Sequence, residues 1–196
     1  MIPGLPPFDA HDNFWNMVPE WRESYVGIKY RVANTFKPKR ICEIGVYSCI
    51  AAKCFMAASP QAEYIGIDNL HEQMVRKINI TNDSIRHMRE MGYNATLVVA
   101  DSQQLKELPG QFDFIHVDGD HSRKGAYHDI WLAWEALTPD GHLLIDNGHD
   151  MGVASGVFDA MYEIMQRQQK RGENYLVDWR YMPDSAGDIL IYRKFL

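Results

Sequence analysis

At 196 residues the chain is long enough for one globular domain with a sizeable core, and its 46% hydrophobic content is ordinary. No apolar run approaches the roughly 20 residues that span a bilayer, and a net charge of −6 without a basic block argues against nucleic acid, so a small-molecule site is expected. Cys42, Cys49 and Cys54 cannot all pair within one chain and match no zinc spacing. With no signal-peptide pattern in residues 1–7, they imply reduced thiols and a cytoplasmic setting.

Trp21, Tyr25, Ile28 and Val32 repeat at helical spacing, with Phe36 one turn on. They predict an amphipathic helix that stops before Pro38, which cannot continue it. Residues 40–45 read as a strand ending at Gly45; Ser48 is placed to cap a helix with Ala51, Cys54, Phe55 and Ala58 inward. A second strand, 64–68, ends in Asp68. A polar helix follows, with Met74, Ile78, Ile85 and Met88 inward and a stop near Gly92; the third strand, 95–100, runs into Asp101-Ser102-Gln103. The fourth, Phe112-Asp113-Phe114-Ile115-His116-Val117, leads directly into Asp118-Gly119-Asp120-His121-Ser122. Ile130, Ala133, Trp134 and Leu137 mark a helix closed by a turn at 138–141; a fifth strand, 142–145, runs into Asp146-Asn147. Val157, Met161, Ile164 and Met165 define a last helix, and strands at 175–180 and 188–192 flank a turn at 183–187.

This alternation predicts one α/β domain over residues 1–196, with a Rossmann-like, doubly wound, mostly parallel sheet. The short loop before the last strand makes that strand antiparallel, and residues 1–38 form an N-terminal helical extension. Ligands of such sheets bind beyond the carboxyl ends of the strands, where Asp68, Asp101, Asp118 and Asp146 all fall. A nicotinamide-binding turn would read G-x-G-x-x-G, but Gly45-Val46-Tyr47-Ser48-Cys49-Ile50 keeps only its first glycine. A ligand without phosphates suits that turn better. Asp68 suits a ribose diol in either case and does not discriminate.

In these motifs the chain resembles the class I S-adenosylmethionine-dependent methyltransferases. The likeness is to the metal-dependent catechol and caffeoyl-CoA O-methyltransferase type and its small-molecule and sugar relatives. It covers residues 41–147. Glu43-Ile44-Gly45-Val46-Tyr47 is similar to the family's glycine loop, where the glycine and tyrosine lie against the methionine part of the cofactor. The resemblance implies that Asp68 holds the ribose hydroxyls and that Asp101, Ser102 and Gln103 face the adenine. It makes Asp118, Asp146 and Asn147 ligands of Mg²⁺ or another hard divalent cation, and places His121 where catechol-type enzymes carry a lysine base. Asp120 either meets the cofactor's amino group or begins the next helix. Two departures stand out: Cys49 replaces the family's second glycine, and Ala51 a frequent serine.

The function so implied is S-adenosylmethionine-dependent O-methylation of a small hydroxylated molecule, with the metal polarising the hydroxyl and His121 accepting its proton. A nicotinamide-dependent oxidoreductase or epimerase, and a non-catalytic cofactor-binding module, are the alternatives. His116 is expected to face a helix inside the fold, and Trp131 and Trp134 to be packing residues. The N-terminal segment offers a face for a second subunit, which makes a homo-oligomer an expectation.

Overall fold

The computed structural model describes residues 25–70, 75–171, 175–182 and 187–195. The helix positions Trp21 and Met74, the side chain of Ile78 and residues 183–186 of the expected turn lie outside the described residues. Helices α1 (Gly27–Phe36), α2 (Ile50–Ala58), α3 (Val75–Glu90), α4 (Arg123–Ala136) and α5 (Met151–Arg171) surround strands β1 (Arg40–Ile44), β2 (Glu63–Asp68), β3 (Asn94–Val99), β4 (Phe112–Val117), β5 (Leu137–Ile145), β6 (Tyr175–Met182) and β7 (Asp188–Phe195). The strands form one sheet in the order β3-β2-β1-β4-β5-β7-β6. The first five are parallel, and β7 inserts antiparallel between β5 and β6. The doubly wound sheet read from the sequence is therefore present. Its strand order reverses between β1 and β4, where the crossovers leave opposite faces and open a crevice.

Central parallel strands must be apolar on both faces, and β1 and β4 meet that demand. Cys42, Ile44, Ile115 and Val117 point into one core with α4 and α5. Ile41, Phe114 and Leu144 point into the other, under α1, α2 and α3. On α1 the buried residues are Gly27, Ile28, Lys29, Val32 and Ala33. The helix closes at Lys37 (φ 49), whose N–H reaches the Ala33 carbonyl just before Pro38. All three cysteines are buried thiols.

Three local expectations are corrected. Ser48 does not cap α2: Cys49 takes the N-cap position at φ 60, with no side-chain cap bond. Leu137 opens β5 rather than closing α4. It pairs with Phe112 while His142 pairs with Phe114, so Pro139-Asp140-Gly141 is accommodated within the strand as an irregularity, with Asp140 at φ 61. Met165 faces solvent in an exposed row with Met151, Phe158 and Tyr162, because the inward stripe of α5 is Val153, Val157, Ala160 and Ile164.

At the β5–β7 pairing, His142 stacks between Phe36, at 3.5 Å, and Tyr192, at 4.6 Å. Burial lowers its pKa to about 4, whereas an unfolded imidazole titrates near ~6.5. Between those values the unfolded chain binds more protons, so stability falls as pH drops from about 6.5 towards 4. The expected loss is on the order of 1 kcal/mol after screening of this part-exposed ring. Melting temperatures of His142→Phe should lack this component, and an unchanged pH dependence would refute the assignment.

Candidate active site

A cavity of about 340 Å³ opens at the β1/β4 reversal, within the range of small-ligand sites. Gly45, Asp68, Asp101, Ser102 and Gln103 line one part of it. Asp118, Gly119 and Asp120 line another. Glu43, Tyr47, His121, Asp146 and Asn147 are not among its walls.

Backbone geometry explains the loop after β1. Gly45 has φ +84, and a Cβ there would sit 1.9 Å from the Asp118 carbonyl oxygen, so only glycine lets the two strand ends approach. The Asp68 carboxylate accepts from the Val46 and Tyr47 N–H groups at 3.0 Å each and from Leu70 N–H at 2.8 Å. It thus orders the loop while lining the cavity. Tyr47 is exposed at φ 45, and its carbonyl accepts from Thr81. Cys49 adopts a left-handed conformation that suits glycine, yet its thiol is buried against the Thr81 carbonyl at 3.9 Å rather than in the cavity. Ala51 is buried in the adjoining core. Neither residue is among the cavity's walls.

The Asp101 side chain accepts from Gln103 N–H at 3.0 Å and caps the short 3₁₀ turn Ser102–Gln104. The Gln103 amide donates to Asp129 at 2.8 Å. Burial raises the Asp129 carboxyl to about 6. Asp120 lies two residues before the Ser122 N-cap of α4, its carboxylate accepting from Ser122 N–H at 2.8 Å, while the Ser122 hydroxyl accepts from Gly125 N–H at 3.0 Å.

The face of the sheet beneath α1 carries a buried polar row. Glu43, 1% exposed, accepts from the Tyr64 hydroxyl and meets His116 Nδ1 at 3.0 Å, so it lies behind the loop and not in the cavity. Burial opposes protonation of His116, but the bond and charge of Glu43 outweigh it and raise the imidazole's pKa. One step nearer the strand tips come Asp118 just past β4, Asp146 just past β5 and Asp188 at the start of β7. Tyr25 donates its hydroxyl to Asp118 Oδ2 at 3.2 Å, and His121 Nε2 stands 3.4 Å from Asp118 Oδ1. Lys29, fully buried, places its Nζ 2.7 Å from Asp188 Oδ2 and 3.4 Å from Asp146 Oδ1. Burial pushes the ammonium's pKa down, yet Asp146 and Asp188 more than reverse that. Desolvation and the neighbouring Asp146 lift Asp188 to about 7 despite Lys29. Burial also opposes charge on Asp146, but Lys29 prevails and holds it well below the usual carboxylate range. Burial, then Asp146, raises Asp118.

The divalent-ion expectation can be tested on this geometry. Asp118 and Asp146 do converge, and with His116 they offer ligand atoms within 4.8 Å of one another. Those carboxylates, however, already carry protein donors. Asp146 Oδ1 takes Lys29 and the Asn147 N–H at 2.8 Å, while Asp118 takes Tyr25 and His121. A cation is built in beside Asp146, and a hard divalent ion held by these carboxylates would have to share them with Lys29, Tyr25 and His121.

Sequence reasoning missed Lys29, Asp188 and the Glu43–His116 pair. The signal for Lys29 was present: with Tyr25, Ile28 and Val32 it falls on the apolar stripe of α1, where a lysine must find carboxylates.

The methyltransferase-domain family matches residues 42–148, more than half of the chain. An uncharacterized protein of Acanthamoeba polyphaga mimivirus is 25% identical over 145 residues, which span 68% of this chain and 63% of that protein's length. Among solved structures, the S-adenosylhomocysteine-bound Podospora anserina methyltransferase PaMTH1 superposes with a TM-score of 0.64 at 19% identity, covering 95% of this chain and 88% of that one. A Bacillus cereus O-methyltransferase in complex with S-adenosylhomocysteine gives 0.65 at 13% identity, over 97% and 93%. Among the described residues no helix is long and apolar enough to cross a membrane. With strand order, glycine loop and crevice all in register with this match, the chain belongs to the methyltransferase-domain family and carries the class I S-adenosylmethionine-dependent fold.

Proposed function

We propose that the chain transfers a methyl group from S-adenosylmethionine to a hydroxyl of a small molecule. The observation that carries this reading is the cavity at the β1/β4 reversal, walled by Gly45, Asp68, Ser102 and Gln103. Its residues fit the cofactor: a glycine that lets the two strand ends meet beside it, a carboxylate for the ribose hydroxyls and polar side chains for the adenine. The loop offers side chains, not a glycine-lined cradle, where a nicotinamide cofactor's pyrophosphate would lie. When bound, the sulfonium supplies an electrophilic methyl group.

The chain's own part is to hold an acceptor in line and remove its proton. His121 stands beside Asp118, which lines the cavity, and is half-exposed and able to meet an incoming hydroxyl. Its bond to Asp118, and then that carboxylate's charge, raise its pKa above the ordinary imidazole value. A base acts in its neutral form, so turnover should climb as pH rises through that raised value. The magnesium implied by the resemblance plays no part in this reading, because Lys29 is already paired with Asp146.

Calorimetry with S-adenosylmethionine and with NADH tests the cofactor. Heat is expected with the sulfonium compound alone, and its absence at millimolar concentration would end the reading. Once an acceptor is found in a panel of phenols, sugars and hydroxy acids, His121→Ala should lower turnover about 100-fold and remove the acid limb of the pH–rate profile. An unaltered profile would take His121 out of the reaction.

A further inference from the structure

We propose that the Lys29 ammonium is the resident cation of this site, filling the charge-balancing position that a divalent metal would otherwise take, so that catalysis proceeds without a metal. This deepens the methyl-transfer reading and rests on it only for the nature of the reaction. The case lies in how one helix turn is used. Tyr25 and Lys29 are four residues apart and therefore share one side of the helical path. The tyrosine hydroxyl reaches Asp118 at 3.2 Å, the lysine reaches Asp146 and Asp188, and the ammonium lies 4.2 Å from the tyrosine ring centroid. The two donors thus address the two carboxylates that a metal would bridge.

Asp188 makes the arrangement self-consistent. It is 0% exposed on β7, one step beyond the Ile145–Ile189 pair of the β5–β7 register, and adds a carboxylate to the pair expected from the sequence. Three clustered acids need positive charge, and the Lys29 side chain, itself 0% exposed, supplies it at 2.7 Å. A metal entering beside Asp146 would meet this ammonium at close range in a desolvated setting, where like charges repel strongly. A metal at Asp146 would have to push the ammonium further towards Asp188, and Ile28, Val32 and Ala33 fix α1 against the sheet, which leaves it little room to withdraw. Lys29 is in this sense a positioning residue: it holds Asp146 in place and leaves Asp118 to His121.

The test uses the full chain and Mn²⁺ as the probe. Stoichiometric wild-type protein should leave the free Mn²⁺ paramagnetic resonance signal undiminished, and its melting temperature should be the same in Mg²⁺ as in chelator. Lys29→Met removes the built-in charge; this variant should melt lower in chelator, regain stability in Mg²⁺ and take up Mn²⁺. Micromolar Mn²⁺ uptake by the wild type, lost in Asp146→Asn, would overturn the proposal. So would a folded Lys29→Met chain that takes up no Mn²⁺. If Lys29→Met folds in neither medium, the wild-type measurement decides alone. Cofactor calorimetry is a separate readout, so failure here and failure of the methyltransferase reading are told apart.

Discussion

Gly45→Ala is expected to cost about 3 kcal/mol of stability and to abolish measurable cofactor binding. Two effects combine. At φ +84 an alanine is strained whatever surrounds it, by about 1–3 kcal/mol. Its methyl carbon would also lie 1.9 Å from the Asp118 carbonyl oxygen and 2.9 Å from the Gly119 nitrogen. Neither neighbour is a flexible side-chain tip; both are backbone just past β4. Relief requires the ends of β1 and β4 to separate, which breaks the Asp118 N–H bond to the Ile44 carbonyl, 2.8 Å long here. Cofactor pocket and acid cluster would be distorted together. Thermal melting should fall by roughly 6–12 °C for a chain of this size, and calorimetry should record no heat. A variant with parental melting and parental affinity would show that the two strand ends do not approach as described.

Asp68→Ala should weaken cofactor binding about 100-fold and destabilise the chain by roughly 2–4 kcal/mol. The carboxylate is 4% exposed and accepts the N–H groups of Val46, Tyr47 and Leu70, all in or near the loops that wall the cavity. Removing it leaves desolvated donors with no acceptor, which costs more than the net value of the bonds themselves. Asp68→Asn separates the two duties. It keeps an acceptor oxygen for the loop but loses the charge, so most stability should return while affinity stays low. If the Asp68→Asn variant binds the cofactor as tightly as the parent chain, the carboxylate serves the loop alone.

The parallel sheet was legible because its strands are short β-branched runs closed by glycine or aspartate. The same patterning put Asp68, Asp101, Asp118 and Asp146 at strand ends before any fold was drawn. Three kinds of feature were not legible. Cys49 adopts a glycine-like conformation without being glycine, so the loop looked more altered than it is. Pro139-Asp140-Gly141 carries turn residues, yet pairing on both sides keeps it in β5, a tertiary effect invisible to local pattern. The electrostatics of the site were hidden most deeply. Lys29, which meets Asp146 and Asp188, is far from both in the chain, so no local pattern pairs them. Asp188 looked like an ordinary strand start for a related reason: its role follows from its place beside Asp146, which only the antiparallel insertion of β7 sets.

The Lys29–Asp188 contact closes a loop of 159 residues in sequence. During synthesis, α1 and the four strands that frame the crevice emerge well before β7. Until β7 arrives and inserts beside β5, the lysine has Asp146 alone as its close carboxylate partner. The long closure cost makes such a contact late to form. The cavity and the acid cluster are therefore expected to mature at different times: the first with the β1–β4 core, the second only when the last strand docks. Hydrogen exchange should mirror that order, with β7 opening more readily than β1 and β4 and carrying the acceptor side of the site with it.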